Sequence, residues 1–182
     1  MKLKILLASA LFSASAAVLA AGFQLSSPEI KAGGLIDKRF EFNGFGCSGE
    51  NKSPALEWRN APAGTKSFAI TVYDPDAPTG SGWWHWVVYD IPASASGLTL
   101  GAGSGGSALP AGAKQGRTDF GTPGYGGAAP PPGHGPHRYL FTLYALNTEK
   151  LDVAPDATAA MIGFMIHFAK LGEAKLTAIY QR

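Results

Sequence analysis

Apolar and polar positions alternate along this chain in short runs separated by turn-forming residues, and a period of two marks strands with one buried face. Ser67 to Tyr73 carries Phe68, Ile70 and Val72 on one side, and Tyr139 to Leu146 carries Phe141, Leu143 and Ala145. Runs rich in aromatic and β-branched residues predict further strands over Phe23 to Leu25, Arg39 to Phe42, Ala55 to Trp58, Trp84 to Ile91 and Leu176 to Tyr180. One segment breaks the pattern. Pro155 and Asp156, followed by ATAAMIGFMIHFAKLG, predict a helix with Asp156 or Thr158 near its start and Gly172 closing it. Many strands and one helix predict an all-β fold, an antiparallel β-sandwich with a peripheral α-helix near the C-terminus.

Residues 101–137, GAGSGGSALPAGAKQGRTDFGTPGYGGAAPPPGHGPH, have no sustained period. A loop of that length inside a compact domain is either functional or disordered. Phe120 and Tyr125 give it anchors for packing, and it runs straight into the strand at His137-Arg138-Tyr139. It is therefore read as an ordered Gly/Pro-rich loop that wraps a pocket wall.

The first residues, MKLKILLASALFSASAAVLAAG, place Lys2 and Lys4 before an apolar run and then small residues. This is the pattern of a secretory signal peptide over residues 1–20, cut between Ala20 and Ala21. It leaves a single domain over 21–182, periplasmic or secreted. Ser9, Ser13 and Ser15 break the apolar run, which falls short of the roughly 20 strongly apolar residues of a membrane span, so no transmembrane anchor is expected.

Loss of Lys2 and Lys4 lowers Lys plus Arg from 15 to 13, equal to the 13 acidic residues. A formally neutral domain lacks the basic stripe of a nucleic-acid binder. Cys47 is the only cysteine, which rules out an intramolecular disulfide and a Cys-x-x-Cys metal or redox site. A buried small hydrophobe is favoured for it over a reactive thiol.

Against this low-charge background one stretch stands out: YDPDAPTGSGWWHW, Tyr73 to Trp86. Pro75 pushes Asp74 toward extended backbone, so Asp74 ends the strand SFAITVYD with its side chain set by the sheet. Asp76, Ala77 and Pro78 make the turn, as Asp and Pro commonly do. His85 enters the next strand between Trp84 and Trp86, where it is either a satisfied core residue or a ligand group facing Asp74.

DPDAP at 74–78, WWHWVVYDIP at 83–92, LPAGAKQGRTDFGTPGYGG at 109–127 and PPPGHGPHRYLFTLYAL at 130–146 resemble the phosphatidylethanolamine-binding protein family, also called the Raf-kinase-inhibitor-like family, and its bacterial YbhB/YbcL branch in particular. The resemblance covers nearly all of the mature chain. It implies a pocket that accepts phosphate, acetate or a phosphoryl head group such as phosphoethanolamine. By the same resemblance Asp74 and His85 line that pocket, Tyr139 donates a hydroxyl and His137 sits at the rim. Trp83 and Pro78 form an apolar wall, and the turn Gly127-Ala128-Ala129 supplies backbone N–H donors. No cofactor or metal is implied, and a second copy of the chain or another protein stays open as a partner.

Three departures from the family pattern bear on this. Ala129 stands where bacterial relatives have the cysteine of GGxCPP, Thr118 where they have asparagine, and the strand LTAIYQR reaches Arg182 where animal members go on into a helix beside the pocket mouth. Control by such a helix, and kinase inhibition with it, is not carried over. The competing classes are a metal hydrolase built from Asp74, Asp76, His85, His134 and His137, and an interaction protein that acts on an envelope or host partner through its surface. The first lacks helical ligand spacing. A serine hydrolase has no Gly-x-Ser-x-Gly motif to support it, and His167 lies among Phe164, Met165 and Phe168, where a packed or surface role is expected.

Overall fold

The alternating runs find one another as antiparallel partners. In chain order the strands are β1 (Gln24–Ser26), β2 (Asn43–Gly44), β3 (Cys47–Ser48), β4 (Leu56–Arg59), β5 (Ser67–Asp74), β6 (Trp83–Pro92), β7 (Gly97–Leu98), β8 (Lys114–Gln115), β9 (His137–Leu146) and β10 (Lys170–Tyr180). The helix is α1 (Ala159–Ala169), and short 3-10 turns lie at Lys38–Phe40 and Ala102–Ser104. The structure is a computed structural model that describes residues 22–106 and 108–182. The leader over 1–20 and its cut before Ala21 lie outside the described residues.

One sheet runs β10-β9-β5-β6-β8 and a smaller one β1-β4-β7, with β2 and β3 forming a separate hairpin. The period of two explains how the layers stack. Phe68, Ile70 and Val72 of β5 and Phe141 and Leu143 of β9 point inward against Leu25, Leu56 and Trp58 of the small sheet. The intervening positions Ala69, Val87 and Leu146 face the other way and are covered by Ile162 and Ile166 of α1. The predicted antiparallel sandwich with a peripheral helix is the fold observed. Among the described residues no helix is long and apolar enough to cross a membrane.

Two element predictions fail. Arg39 to Phe42 is not a strand: Asp37 accepts a hydrogen bond from the Arg39 N–H at 2.9 Å and caps a 3-10 turn, leaving only Glu41 as an isolated bridge to Ala128. The helix does not run to Gly172. Thr158 caps its start by accepting from the Met161 N–H, but it ends at Ala169 and Lys170 pairs at once with Leu146 of β9. Gly172 instead lies at a register shift within β10, where its backbone packs on Pro62.

The described part of the long loop around Tyr125 is packed onto the body, as its anchor residue predicts. Tyr125 is buried and its hydroxyl donates to the Phe40 carbonyl at 3.0 Å. Short pieces of the loop bond back to the body, with the Gly126 N–H donating to the His85 carbonyl and the Ala128 N–H to that of Phe40. Cys47 is buried, and burial pushes its thiol above the ordinary range.

Helix α1 carries no Asp, Glu, Lys or Arg, and Met161, Phe164 and Phe168 remain exposed on it. The contrast with the sandwich interior gives a test. Leu143→Ala, at a fully buried position of β9, should cost about 2–5 kcal/mol, whereas Phe164→Ala should stay within about 0.5 kcal/mol. Urea unfolding of both variants checks the assignment of buried and exposed faces; equal losses would contradict it.

Candidate functional site

At its open end the inner face of the large sheet changes from apolar to polar without changing period. Asp74 follows Ile70 and Val72 on β5, and His137 and Tyr139 precede Phe141 on β9. Both segments face the small sheet, so three polar side chains gather where the hydrophobic stack ends. All three are buried, with Asp74 2 %, His137 1 % and Tyr139 1 % exposed.

His85 reaches the same place by a different device. The ladder pairs Val72 with Trp86 but Tyr73 with Trp84, so His85 is an extra residue in a β-bulge. In a regular strand Trp84 and Trp86 would share a face. With the bulge, Trp86 enters the sandwich core, Trp84 packs on the helix side, and His85 is re-aimed to the pocket.

These residues surround a cavity of about 170 Å³ lined by Asp74, His85 and His137 together with Ala77, Pro78, Thr79, Trp83, Phe120, Ala129, Pro131 and Phe45. Tyr139 lies behind this lining, its ring 5.1 Å from that of His85 in an edge-on contact. The sequence-derived residues Asp74, His85, His137, Trp83, Pro78 and Ala129 thus meet at one cavity. Phe45, Phe120, Ala77, Thr79 and Pro131 complete its wall; of these Phe120 had been read as a loop anchor and Ala77 as part of a turn, and neither as lining. The glycines around Phe45 in NGFGC were the available signal for a tight turn presenting an aromatic ring.

The hydrogen bonds differ from expectation in three ways. His137 is not at the rim: it is buried, and its Nδ1 bonds Asp74 Oδ2 at 2.6 Å, because a buried carboxylate needs a partner. Exposed His134 is the group nearer solvent, with its Nδ1 2.8 Å from His137 Nε2. The turn 127–129 does not offer free N–H groups. The Gly127 N–H donates to Asn51 Oδ1, that of Ala128 to the Phe40 carbonyl, and that of Ala129 to the Tyr139 hydroxyl oxygen. A buried backbone donor costs too much to leave unpaired. Gly127 is needed for another reason: a Cβ there would lie 2.3 Å from the Phe40 carbonyl oxygen.

His85 Nδ1 lies 2.9 Å and 3.0 Å from the carbonyl oxygens of Gly126 and Gly127. Carbonyls only accept, so Nδ1 carries the proton and Nε2 of the neutral ring faces the cavity as an acceptor. Burial pushes the His85 pKa below its ordinary value, outweighing the pull of the carbonyls and Asp74, and so favours that neutral form. Burial likewise raises the Tyr139 hydroxyl well above its usual range, which keeps it protonated.

Asp76 stabilises the frame. Its carboxylate accepts from the backbone N–H, Nε and Nη2 of Arg138, the residue between His137 and Tyr139. Its own N–H donates to Asp74 Oδ1 at 2.8 Å. The end of β5 and the start of β9 are thereby tied together on either side of the cavity. Thr118 uses its hydroxyl within the loop, donating to the Thr122 carbonyl at 2.9 Å. Among the described residues no group of three or more His, Cys, Asp or Glu is arranged to hold a metal ion, although Asp74, His85 and His137 share one cavity. His167 is exposed on α1, away from this lining.

A sandwich with a small, partly polar cavity at the open end of its sheets is the frame of a ligand-binding protein. The chain belongs to the phosphatidylethanolamine-binding protein family, whose sequence profile matches residues 26–181. It is 52% identical to the UPF0098 protein YbcL of Escherichia coli over 89% of each chain, and 53% identical to YbhB of the same organism over 86% of this chain and 99% of that one. The crystal structure of E. coli YbcL, described as a member of the mammalian PEBP family, superposes with a TM-score of 0.86 at 52% identity, over 89% of this chain and 99% of that one. A putative homologue from Chlamydia trachomatis gives 0.75 at 28% identity, over 88% and 98%.

Two outcomes are expected from this geometry. Long-range proton–nitrogen NMR at neutral pH should find His85 as the neutral Nδ1–H tautomer; an Nε2–H signal would contradict the bonding to Gly126 and Gly127. The Arg138 guanidinium holds the Asp76 carboxyl down to about 2 from 3.8. A depressed carboxylate contributes stability that is present above its ordinary pKa and lost as pH falls through the folded value. The stability difference between wild type and Asp76→Asn should therefore shrink as pH drops from the ordinary carboxylate range to about 2. Unfolding curves across that range check it, and a constant difference would contradict the pairing.

Proposed function

We propose that this protein is an exported binding or regulatory protein of the periplasm, and that its cavity accepts a small anion or a phosphoryl head group. Phosphate, acetate and phosphoethanolamine are ligands of the right class. The observation that carries this reading is the buried cluster of Asp74, His85, His137 and Tyr139 at the end of an otherwise apolar sandwich face. The leader over residues 1–20 supports export. Family membership supports a binding role rather than catalysis.

The wall of the cavity limits how an anion can bind. Asp74 accepts from His137 and Asp76, and His85 presents an acceptor nitrogen. Tyr139 stands behind the lining, where its hydroxyl oxygen accepts from the Ala129 N–H and so fixes the turn that carries Ala129 at the cavity. An oxyanion becomes compatible with such a wall when a proton accompanies it. Either the ligand brings an acidic O–H that donates to His85 Nε2, or His85 takes up a proton and donates in turn. The ammonium of an ethanolamine head can also meet Asp74. Each route makes binding selective and modest in strength, because no lysine or arginine lines the cavity.

Proton uptake on binding sets the sign of the pH dependence: affinity for phosphoethanolamine should rise as pH falls. A hydrogen bond to a charged group contributes about 1.5–3 kcal/mol, so His85→Ala should weaken binding roughly ten- to a hundredfold. His167→Ala should leave it unchanged. Calorimetric titrations of wild type and both variants on either side of neutral pH decide the matter. Unchanged affinity in His85→Ala, or binding that tightens as pH rises, would refute the reading.

A further inference from the structure

The head-group cavity shares a wall with a second space. A groove of about 530 Å³ lies against Phe42, Asn51, Gln115, Thr118 and Tyr125, and Phe45 and Phe120 line both it and the cavity. Phe45 sits on the turn between β2 and β3 in a left-handed conformation, φ 54°, and is 66% exposed. A bulky residue rarely adopts that conformation, so something must hold it there. Part of the answer is aromatic packing, with ring centroids 5.4 Å from Phe42 and 5.8 Å from Phe120.

The rest comes from Arg182. Its Nη2 donates to the Phe45 carbonyl at 2.9 Å, its Nη1 to that of Gly46 at 2.7 Å, and its Nε to that of Pro130 at 2.6 Å. Ala129 and Pro131, on either side of Pro130, line the same cavity. One side chain therefore ties the tip carrying Phe45 to the end of the Gly/Pro loop. Three carbonyls satisfy its planar fork, a geometry that a lysine cannot reproduce.

We propose that Phe45 sets the upper size of the ligand that the Asp74/His85 cavity accepts, by walling it off from the neighbouring groove, and that Arg182 is the positioning residue that holds Phe45 in place. The proposal rests on the reading of the cavity as a head-group site. With Phe45 seated, a compact phosphoryl group fits and a flat substituent attached to it is refused. With Phe45 trimmed or released, the two spaces join beside Phe120, and an aromatic ester can lie against Phe42 and Phe120.

The test compares inorganic phosphate with phenyl phosphate on wild type, Phe45→Ala, Arg182→Ala and Arg182→Lys. Phe45→Ala should raise the affinity ratio of phenyl phosphate to phosphate roughly tenfold, and both Arg182 variants should move it the same way. A merely structural role for Arg182 would weaken both ligands together and leave the ratio fixed. Hydrogen exchange on the ligand-free protein provides an independent arm: residues 43–48 should exchange faster in both Arg182 variants, with the β5 and β9 amides unchanged. An unchanged ratio in Phe45→Ala overturns the size limit, and unchanged exchange over 43–48 overturns the role of Arg182. If wild type and Phe45→Ala bind neither inorganic phosphate nor phenyl phosphate, the head-group reading fails and the size limit with it, while the exchange measurement still decides what Arg182 holds.

Discussion

A carboxylate buried at the end of a hydrophobic stack must be paired, and the bond between Asp74 and His137 meets that demand. Much of the site follows from it. His137 is drawn into the interior, which brings β9 over the end of β5 and sets Tyr139 two residues further in, behind the cavity. Its outer nitrogen is then engaged by His134 on the Gly/Pro loop, so the loop is fixed relative to the sheet. The clamp of Asp76 on Arg138 holds the same two strand ends from outside. Rigidity here comes from polar groups that satisfy one another, and the cavity inherits it.

The strand faces were legible in the sequence because the sheet period is simple, whereas the places of His137 and Tyr139 at the pocket came from the family resemblance. Val72 and Asp74 are two apart, as are His137, Tyr139 and Phe141, so the core face and the polar floor of the cavity lie on the same lines of residues. The prolines of DPDAP mark the turn that ends β5, and the aromatic residues Phe120 and Tyr125 mark the loop as ordered. Signals that depend on partners were not legible. The bulge at His85 arises from how β6 registers against β5, and no property of WWHW by itself says which tryptophan faces which side. The occupied N–H groups of Gly127 to Ala129 depend on Asn51, Phe40 and Tyr139, all distant in the chain. Asp37 capping a 3-10 turn overrode the strand propensity of Arg39 to Phe42. Pairing with Leu146 of β9 captured Lys170, with Leu171 in the register shift that follows, before the helix could reach Gly172.

Gly126 and Gly127 show how a glycine-rich segment can be closely packed. They leave no room for side chains, since a Cβ on either would collide with the Phe120 ring or the Phe40 backbone. Their carbonyls both converge on His85. The backbone thus approaches the imidazole closely enough to dictate which of its nitrogens is protonated. Here glycine serves close packing rather than freedom of movement.

Every feature of the cavity carries a stability cost that an apolar end to the sandwich would avoid. Buried polar clusters are commonly matched or exceeded in stability by well-packed hydrophobic replacements. The bulge at His85 interrupts a ladder, and Phe45 occupies a conformation that disfavours bulky residues. These costs are independent in origin: one lies in desolvation, one in strand pairing, one in backbone geometry. They coincide at a single cavity, although the ladders also shift register away from it, between Phe68 and Ile70 and at Gly172. Costs of three different origins that coincide at one cavity are what the proposed binding role requires, since none of them adds to folding.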